Sequence, residues 1–291
     1  MSRILVTGAT GFVGRELVAR LLAADHQVRA MTRRPEFYDG PGDPVGADVS
    51  DPDSLVEAAA GCDVAYYLVH SLDDDDFERK DAELATGFGQ AMADAGVGRI
   101  VYLGGLGGDG ELSAHLRSRR QVELLLGEAG VPVTVLRAAI VVGAGGVSWE
   151  ITRQLVKNLP AMVVPRWAAT KTQPIALVNV IDYLVGVLDI ETTAGQVYEI
   201  GGPEVLDYAE MLQQAALVLN GRRVLMVQVP FLSPRLSSYW LALVTDVNVT
   251  TGRNLIDSMG TEVVVRDHTI RDLIDLDLVP YQEAVRRAVR L

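Results

Sequence analysis

The stretch that decides the fold is residues 1–14, MSRILVTGATGFVG. Arg3 to Thr7 reads as a short strand of the kind buried on both faces, and it breaks off at Gly8. Phe12, Val13, Leu17, Val18, Leu21 and Leu22 then make one apolar stripe at helical spacing. Between the two, Gly8, Gly11 and Gly14 stand as G-x-x-G-x-x-G. Strand, glycine turn and helix follow without a gap.

That spacing suits the binding of a dinucleotide diphosphate. The anion can approach backbone amides at the positive end of a helix only where no Cβ obstructs it, and Gly8 and Gly11 leave that path open. Gly14 lets the helix pack closely on the strand it has just left. Glycine triplets occur in many loops, so the evidence lies in the placement of this one between a predicted strand and a predicted helix. The competing reading is a tight turn that holds nothing. A triphosphate-binding loop does not match, because Arg15 and Glu16 follow Gly14 and no Gly-Lys-Ser/Thr occurs there.

The second predicted strand, Gln27 to Met31, runs into Thr32-Arg33-Arg34-Pro35. In a dinucleotide fold an acidic residue at this point holds the ribose hydroxyls of NAD, whereas arginine accommodates the extra phosphate of NADP. Two guanidinium forks and no carboxylate therefore favour NADP(H) over NAD(H). The alternative is that Arg33 and Arg34 form a solvated turn.

Strands and helices then alternate. A loop is expected over 38–46, a third strand over 46–49, a helix near Asp53 to Ala60 and a fourth strand over 63–69. A helix over 77–95, a fifth strand over 99–103, a glycine loop over 104–108, a helix over 112–129 and a sixth strand over 132–137 follow. This rhythm predicts an α/β fold with a doubly wound parallel sheet, whose ligands bind beyond the carboxyl ends of the strands. The acidic run Asp73 to Asp76 reads better as solvated carboxylates before a helix than as a metal site, and no metal is expected.

After Gly143 the rhythm changes. Residues 1–143 are expected to form the dinucleotide domain, completed by about 174–200, while 144–173 and 201–291 form a smaller α/β lobe for substrate. Residues 161–174 read as irregular and 230–244 as helical. All three tryptophans, Trp149, Trp167 and Trp240, fall in this half. They serve either as core or, for Trp149 and Trp167, as the lining of an apolar substrate pocket.

Composition narrows the classes. Of 291 residues 49% are hydrophobic and 22% charged, which describes a folded globular chain. A net charge of −12 disfavours nucleic acid or an anionic membrane surface as a general partner. The single cysteine, Cys62, cannot form an internal disulfide, and no long apolar run or leader is evident, so a soluble, cytoplasmic protein is expected.

Assembled, these pieces resemble an atypical member of the short-chain dehydrogenase/reductase superfamily, in its extended and NmrA-like branch. The resemblance runs over nearly the whole chain and is carried by Thr7 to Gly14, Thr32-Arg33-Arg34, Ala47-Asp48-Val49 and Val101 to Gly105. It continues through Val133 to Gly143, Gln173-Pro174-Ile175, Asn179 to Asp182 and Glu199 to Pro203. It implies that Gly8, Thr10, Gly11, Phe12 and Val13 hold the diphosphate and that Arg33 and Arg34 hold the 2′-phosphate. Asp48 and Val49 would meet the adenine, although Asp48 also suits a helix approach. Leu68, Val69, His70 and Gly104 would border the cofactor, and Ala138, Ala139 and Ile140 would pass near the nicotinamide. Related proteins often pair as homodimers through the helices expected over 77–95 and 112–129.

The family's catalytic set is a serine after the fifth strand and Tyr-x-x-x-Lys on the next helix. This chain departs from it at each place. Gly104 and Gly105 stand where the serine would be, and the helix carries His115 and Arg119 four residues apart, on one face. His115 can act as a proton donor, and the guanidinium beside it keeps the ring neutral. Arg119 can take over the ribose contact but not the proton relay. The expected activity is an NADPH-dependent reductase acting on a small carbonyl, imine or quinone-like substrate. Alternatives are a non-catalytic NADP(H) sensor and, further off, a nucleotide-dependent epimerase.

Overall fold

The computed structural model describes residues 1–71, 74, 76–107, 112–229, 246 and 249–290. Seven strands form one parallel sheet. In chain order they are β1 (Arg3–Val6), β2 (Gln27–Thr32), β3 (Asp43–Gly46), β4 (Val64–Tyr67), β5 (Arg99–Gly105), β6 (Val133–Ala138) and, far later, Val197–Ile200. Their spatial order is β3-β2-β1-β4-β5-β6 followed by Val197–Ile200. The order reverses between β1 and β4, which opens a crevice beyond their carboxyl ends.

The centre of the sheet is buried on both faces because β1 and β4 are apolar along nearly their whole length. Ile4, Leu5 and Val6 are wholly buried, with Ile4 and Val6 facing one core and Leu5 the other. Each such burial contributes about 1.5–3 kcal/mol. Helices α1 (Phe12–Ala23) and α6 (Leu177–Gly186) pack together on the first face. Helices α2 (Pro52–Ala59), α3 (Phe77–Asp94) and α4 (Ala114–Gly127) cover the second.

A third core lies beyond the sheet. It joins α5 (Val147–Asn158), α7 (Tyr208–Asn220), the strand Ala161–Pro165 and the helix Tyr281–Arg290 through Trp149, Val156, Met162, Val164, Met211 and Val285. None of the described helices is long and apolar enough to cross a membrane.

Three expectations need correction. The third strand is Asp43–Gly46 rather than 46–49, and among the described residues it pairs only with β2, from Arg29↔Asp43 to Thr32↔Gly46. It is an edge strand, where Pro44 is tolerated, and its proline and glycines disguise it as a loop. Gly104 and Gly105 belong to β5 and not to a loop, because they pair with Arg137 and Ala138. Residues 161–165 are extended, in parallel register with 225–229. The helix expected over 230–244, Trp240, and the side chain of Trp167 lie outside the described residues.

Candidate functional site

Gly8 adopts φ +65°, a left-handed conformation that turns the chain out of β1. Its carbonyl accepts the Gly11 N–H at 2.8 Å and so closes the turn. A Cβ on Gly11 would stand 3.1 Å from that same carbonyl oxygen, so a side chain there would crowd the turn. Helix α1 then starts at Gly11 with no side-chain cap and no acidic residue in its first turn. Its first amides are thus left for an anion, as the diphosphate of a dinucleotide requires. Thr10 and Gly11 are exposed at this lip, and Phe12 and Val13 are half-buried behind it.

Arg33 and Arg34 are exposed just past β2. Asp48 faces them across the sheet edge. Its carboxylate accepts the N–H of Ser50 at 2.9 Å and its hydroxyl at 2.7 Å. These bonds, and then the Arg33 charge, hold the carboxyl below its usual range. Val49 follows, half-buried. Two exposed guanidinium groups thus stand at this edge, one of them within electrostatic reach of the Asp48 carboxylate.

At the end of β4, Thr7 organises the next contact. Its hydroxyl donates to the Tyr66 carbonyl at 2.9 Å and accepts the Leu68 N–H at 3.0 Å. The Leu68 carbonyl lies 3.2 Å from where a Cβ on Gly8 would stand, so bare backbone meets bare backbone across the crevice. Val69 and His70 continue outward from there.

A cavity of about 330 Å³ opens over the ends of β4, β5 and β6. Phe12, Val13, His70, Gly104, His115, Arg119 and Ala138 to Ile140 all line it. The structure therefore brings nine of the anticipated residues around one volume. His115 and Arg119 enter it from the same face of α4, whose start is capped by the Ser113 hydroxyl accepting the Leu116 N–H at 3.3 Å. A second groove of about 650 Å³, between α1, α6 and the helix Tyr281–Arg290, holds none of the fingerprint glycines.

The electrostatics of the cavity are one-sided. Loss of water around His115, then the charges of Arg119 and His70, push the imidazole down to about 3, so it is neutral at physiological pH. Arg119 is buried. One nitrogen, Nη2, donates to the Leu103 carbonyl at 3.1 Å, its guanidinium lies 5.1 Å from the Tyr102 ring centroid, and Nη1 has no partner among the described residues. A buried guanidinium N–H without an acceptor carries a desolvation cost, which a ligand oxygen can relieve.

Behind Gly104 the space is taken. Arg137 grips Glu123 with Nε at 3.0 and 3.1 Å and Nη2 at 2.6 Å. Burial pushes that carboxyl up to about 7, against the charges of Arg120 and Arg119. A Cβ on Gly104 would lie 3.1 Å from Glu123 Oε1 and 3.1 Å from the Tyr102 ring. The absent serine is therefore a steric matter as well as a chemical one.

Sequence reasoning missed several walls of this cavity. Tyr208, Val263 and four residues of the helix Val249–Ser258 and its end, Thr251, Leu255, Ser258 and Met259, also line it. They come from segments far beyond α4 in sequence, and nothing local marks them. Trp149 is 2% exposed, packs in the third core and does not line the cavity. Its place on the inward face of α5 accounts for that.

Fold and crevice define a dinucleotide-binding protein of the doubly wound class. Residues 8–167 match the NAD(P)H-binding family model, and the chain belongs to that family, in the atypical NmrA-like branch of the short-chain dehydrogenases/reductases. It is 32% identical over 160 residues to an uncharacterized protein of Mycobacterium tuberculosis, covering 55% of this chain and only 17% of that one. It is 30% identical over 232 residues to a (4-alkanoyl-5-oxo-2,5-dihydrofuran-3-yl)methyl phosphate reductase of Streptomyces griseus, covering 75% and 74%. The crystal structure of Citrobacter sp. triphenylmethane reductase with NADP(H) superposes at TM-score 0.79 and 19% identity, over 99% and 100% of the two chains. The family match and the fold are those of NAD(P)H-binding proteins.

Proposed function

We propose that the protein is an NADPH-dependent reductase whose substrate is a small, partly apolar carbonyl, imine or quinone-like compound. The observation that carries this is the 330 Å³ cavity, where the start of α1, the ends of β5 and β6, and the His115–Arg119 face of α4 meet. The glycine cradle and the uncapped α1 suit a diphosphate, so the residues present fit the cofactor. When bound, the nicotinamide supplies a hydride.

Gly8, Thr10, Gly11, Phe12 and Val13 would hold the diphosphate, Arg33 and Arg34 the 2′-phosphate, and Asp48 and Val49 the adenine. Leu68, Val69, His70 and Gly104 would border the cofactor, and Ala138 to Ile140 would place its reactive end. His115, kept neutral, donates its N–H to the substrate oxygen and gives it the proton that completes the reduction, regaining one from solvent. Arg119 would hold the nicotinamide ribose, and its fixed positive charge stabilises that oxygen as it gains electrons.

Fluorescence titration with NADPH and NADH tests the cofactor assignment. Tighter binding of NADPH supports it, and no binding of either at millimolar supply overturns it. Screening oxidation of bound NADPH against ketones, imines and quinones then tests the reaction. The crowding behind Gly104 supports a second reading, an NADP(H) sensor without chemistry. That reading predicts binding with no turnover on any acceptor.

A further inference from the structure

We propose that Asp81 is a positioning residue of this site, tying the His70 loop to the His115–Arg119 face of α4; the proposal rests on the cofactor-binding reading above. Asp81 lies on α3, is 3% exposed and does not line the cavity. A buried carboxylate needs partners, and its two oxygens serve two different walls. Oδ1 accepts the backbone N–H of Ser71 at 2.9 Å, and Oδ2 accepts the hydroxyl of Ser118 at 3.2 Å. Ser71 is 6% exposed and Ser118 1%, so water does not compete for either bond.

Each partner sits beside residues that face the cavity. Ser71 ends the short segment that leaves β4. Thr7 already holds the start of that segment through the Leu68 N–H at 3.0 Å, so Asp81 pins its other end with His70 between the two ties. Ser118 stands three residues after His115 and immediately before Arg119 on α4. One carboxylate therefore fixes both walls, the His70 loop and the His115–Arg119 face, against each other. An apolar trio of the same shape would leave stability nearly unchanged, so what the polar trio adds is a directional register between loop and helix.

Binding by the full-length protein tests this with two probes. NADPH reads the whole crevice, and adenosine 2′,5′-bisphosphate reads only the adenosine end near Arg33 and Arg34. Asp81→Ala is expected to weaken NADPH about tenfold while leaving the bisphosphate unchanged, the loss expected for about one net hydrogen bond. Asp81→Asn is expected to restore most of the affinity, because its carbonyl oxygen can accept from Ser71 and its amide can donate to the Ser118 hydroxyl. Should Asp81→Ala fail to fold, Ser118→Ala removes one tie alone and should give a smaller, equally selective loss. Unchanged NADPH binding, or equal weakening of both probes, would overturn the positioning role while the cofactor reading stands. Binding of neither probe by the unaltered protein would instead remove the cofactor reading, and this proposal with it.

Discussion

The backbone of Gly14 presses against that of Gly8: a Cβ on Gly14 would stand 2.1 Å from the Gly8 carbonyl oxygen and 2.9 Å from the Ala9 Cα. Both neighbours are main chain and neither can swing aside, so the helix start and the turn are locked together. Gly14→Ala should cost roughly 3 kcal/mol or more in stability and should abolish nucleotide binding in whatever protein still folds. Thermal melting with and without NADPH measures both. A variant that melts like the unaltered protein and binds NADPH equally well would show that the turn relaxes.

Arg33 and Arg34 should divide NADPH from NADH. Replacing either with Ala is expected to weaken NADPH about tenfold, as loss of a charge-assisted contact does, with NADH little changed. Because both side chains are exposed, added salt should erode NADPH affinity more than NADH affinity. Calorimetric titration at two ionic strengths reads this directly. Equal losses for the two nucleotides would remove the 2′-phosphate from the role of these arginines.

Much of this site is legible in the chain because its parts are local. Strand, glycines and helix over residues 1–14 are contiguous, and their spacing alone conveys a phosphate cradle. His115 and Arg119 share a helix face for the same reason, since four residues make about one turn. What escapes is set by distant contact. Leu255 and Met259 enter the cavity from a helix whose own sequence carries no sign of a site. Asp81 escapes too, as its partners Ser71 and Ser118 are 10 and 37 residues away. The β3 edge is misjudged because Pro44 and Gly46 are turn-forming residues that an unpaired edge accepts.

His115 makes the acid limb of stability informative. Its folded value of about 3 lies below the ordinary value near 6.5, so between them the unfolded chain binds the extra proton. The stability tied to this ring is fully present above about pH 6.5 and is lost as pH falls toward about 3. His115→Gln removes that dependence. Denaturant unfolding at about pH 7 and about pH 5 should therefore show a smaller loss in the variant than in the unaltered protein. Parallel losses would mean that water reaches the ring and that it titrates normally.

Restoring the family's serine should not restore the family's chemistry. A side chain at Gly104 would project toward Glu123 Oε1, which Arg137 already holds, and toward the Tyr102 ring, each 3.1 Å from the new Cβ. The serine hydroxyl would then meet the buried ion pair instead of a substrate oxygen in the cavity. Gly104→Ser is expected to lose about 1–3 kcal/mol of stability through overpacking, with turnover on any accepted substrate unchanged or lower. Trimming Glu123 to Ala alongside would open room but strand Arg137 beside an apolar wall, a loss of about 3–5 kcal/mol typical of a broken buried pair. The double variant should therefore be less stable than either single one. A Gly104→Ser protein that melts normally and turns over faster would mean that β5 shifts to aim the hydroxyl at the substrate, and that glycine here is not a consequence of the Glu123–Arg137 pair.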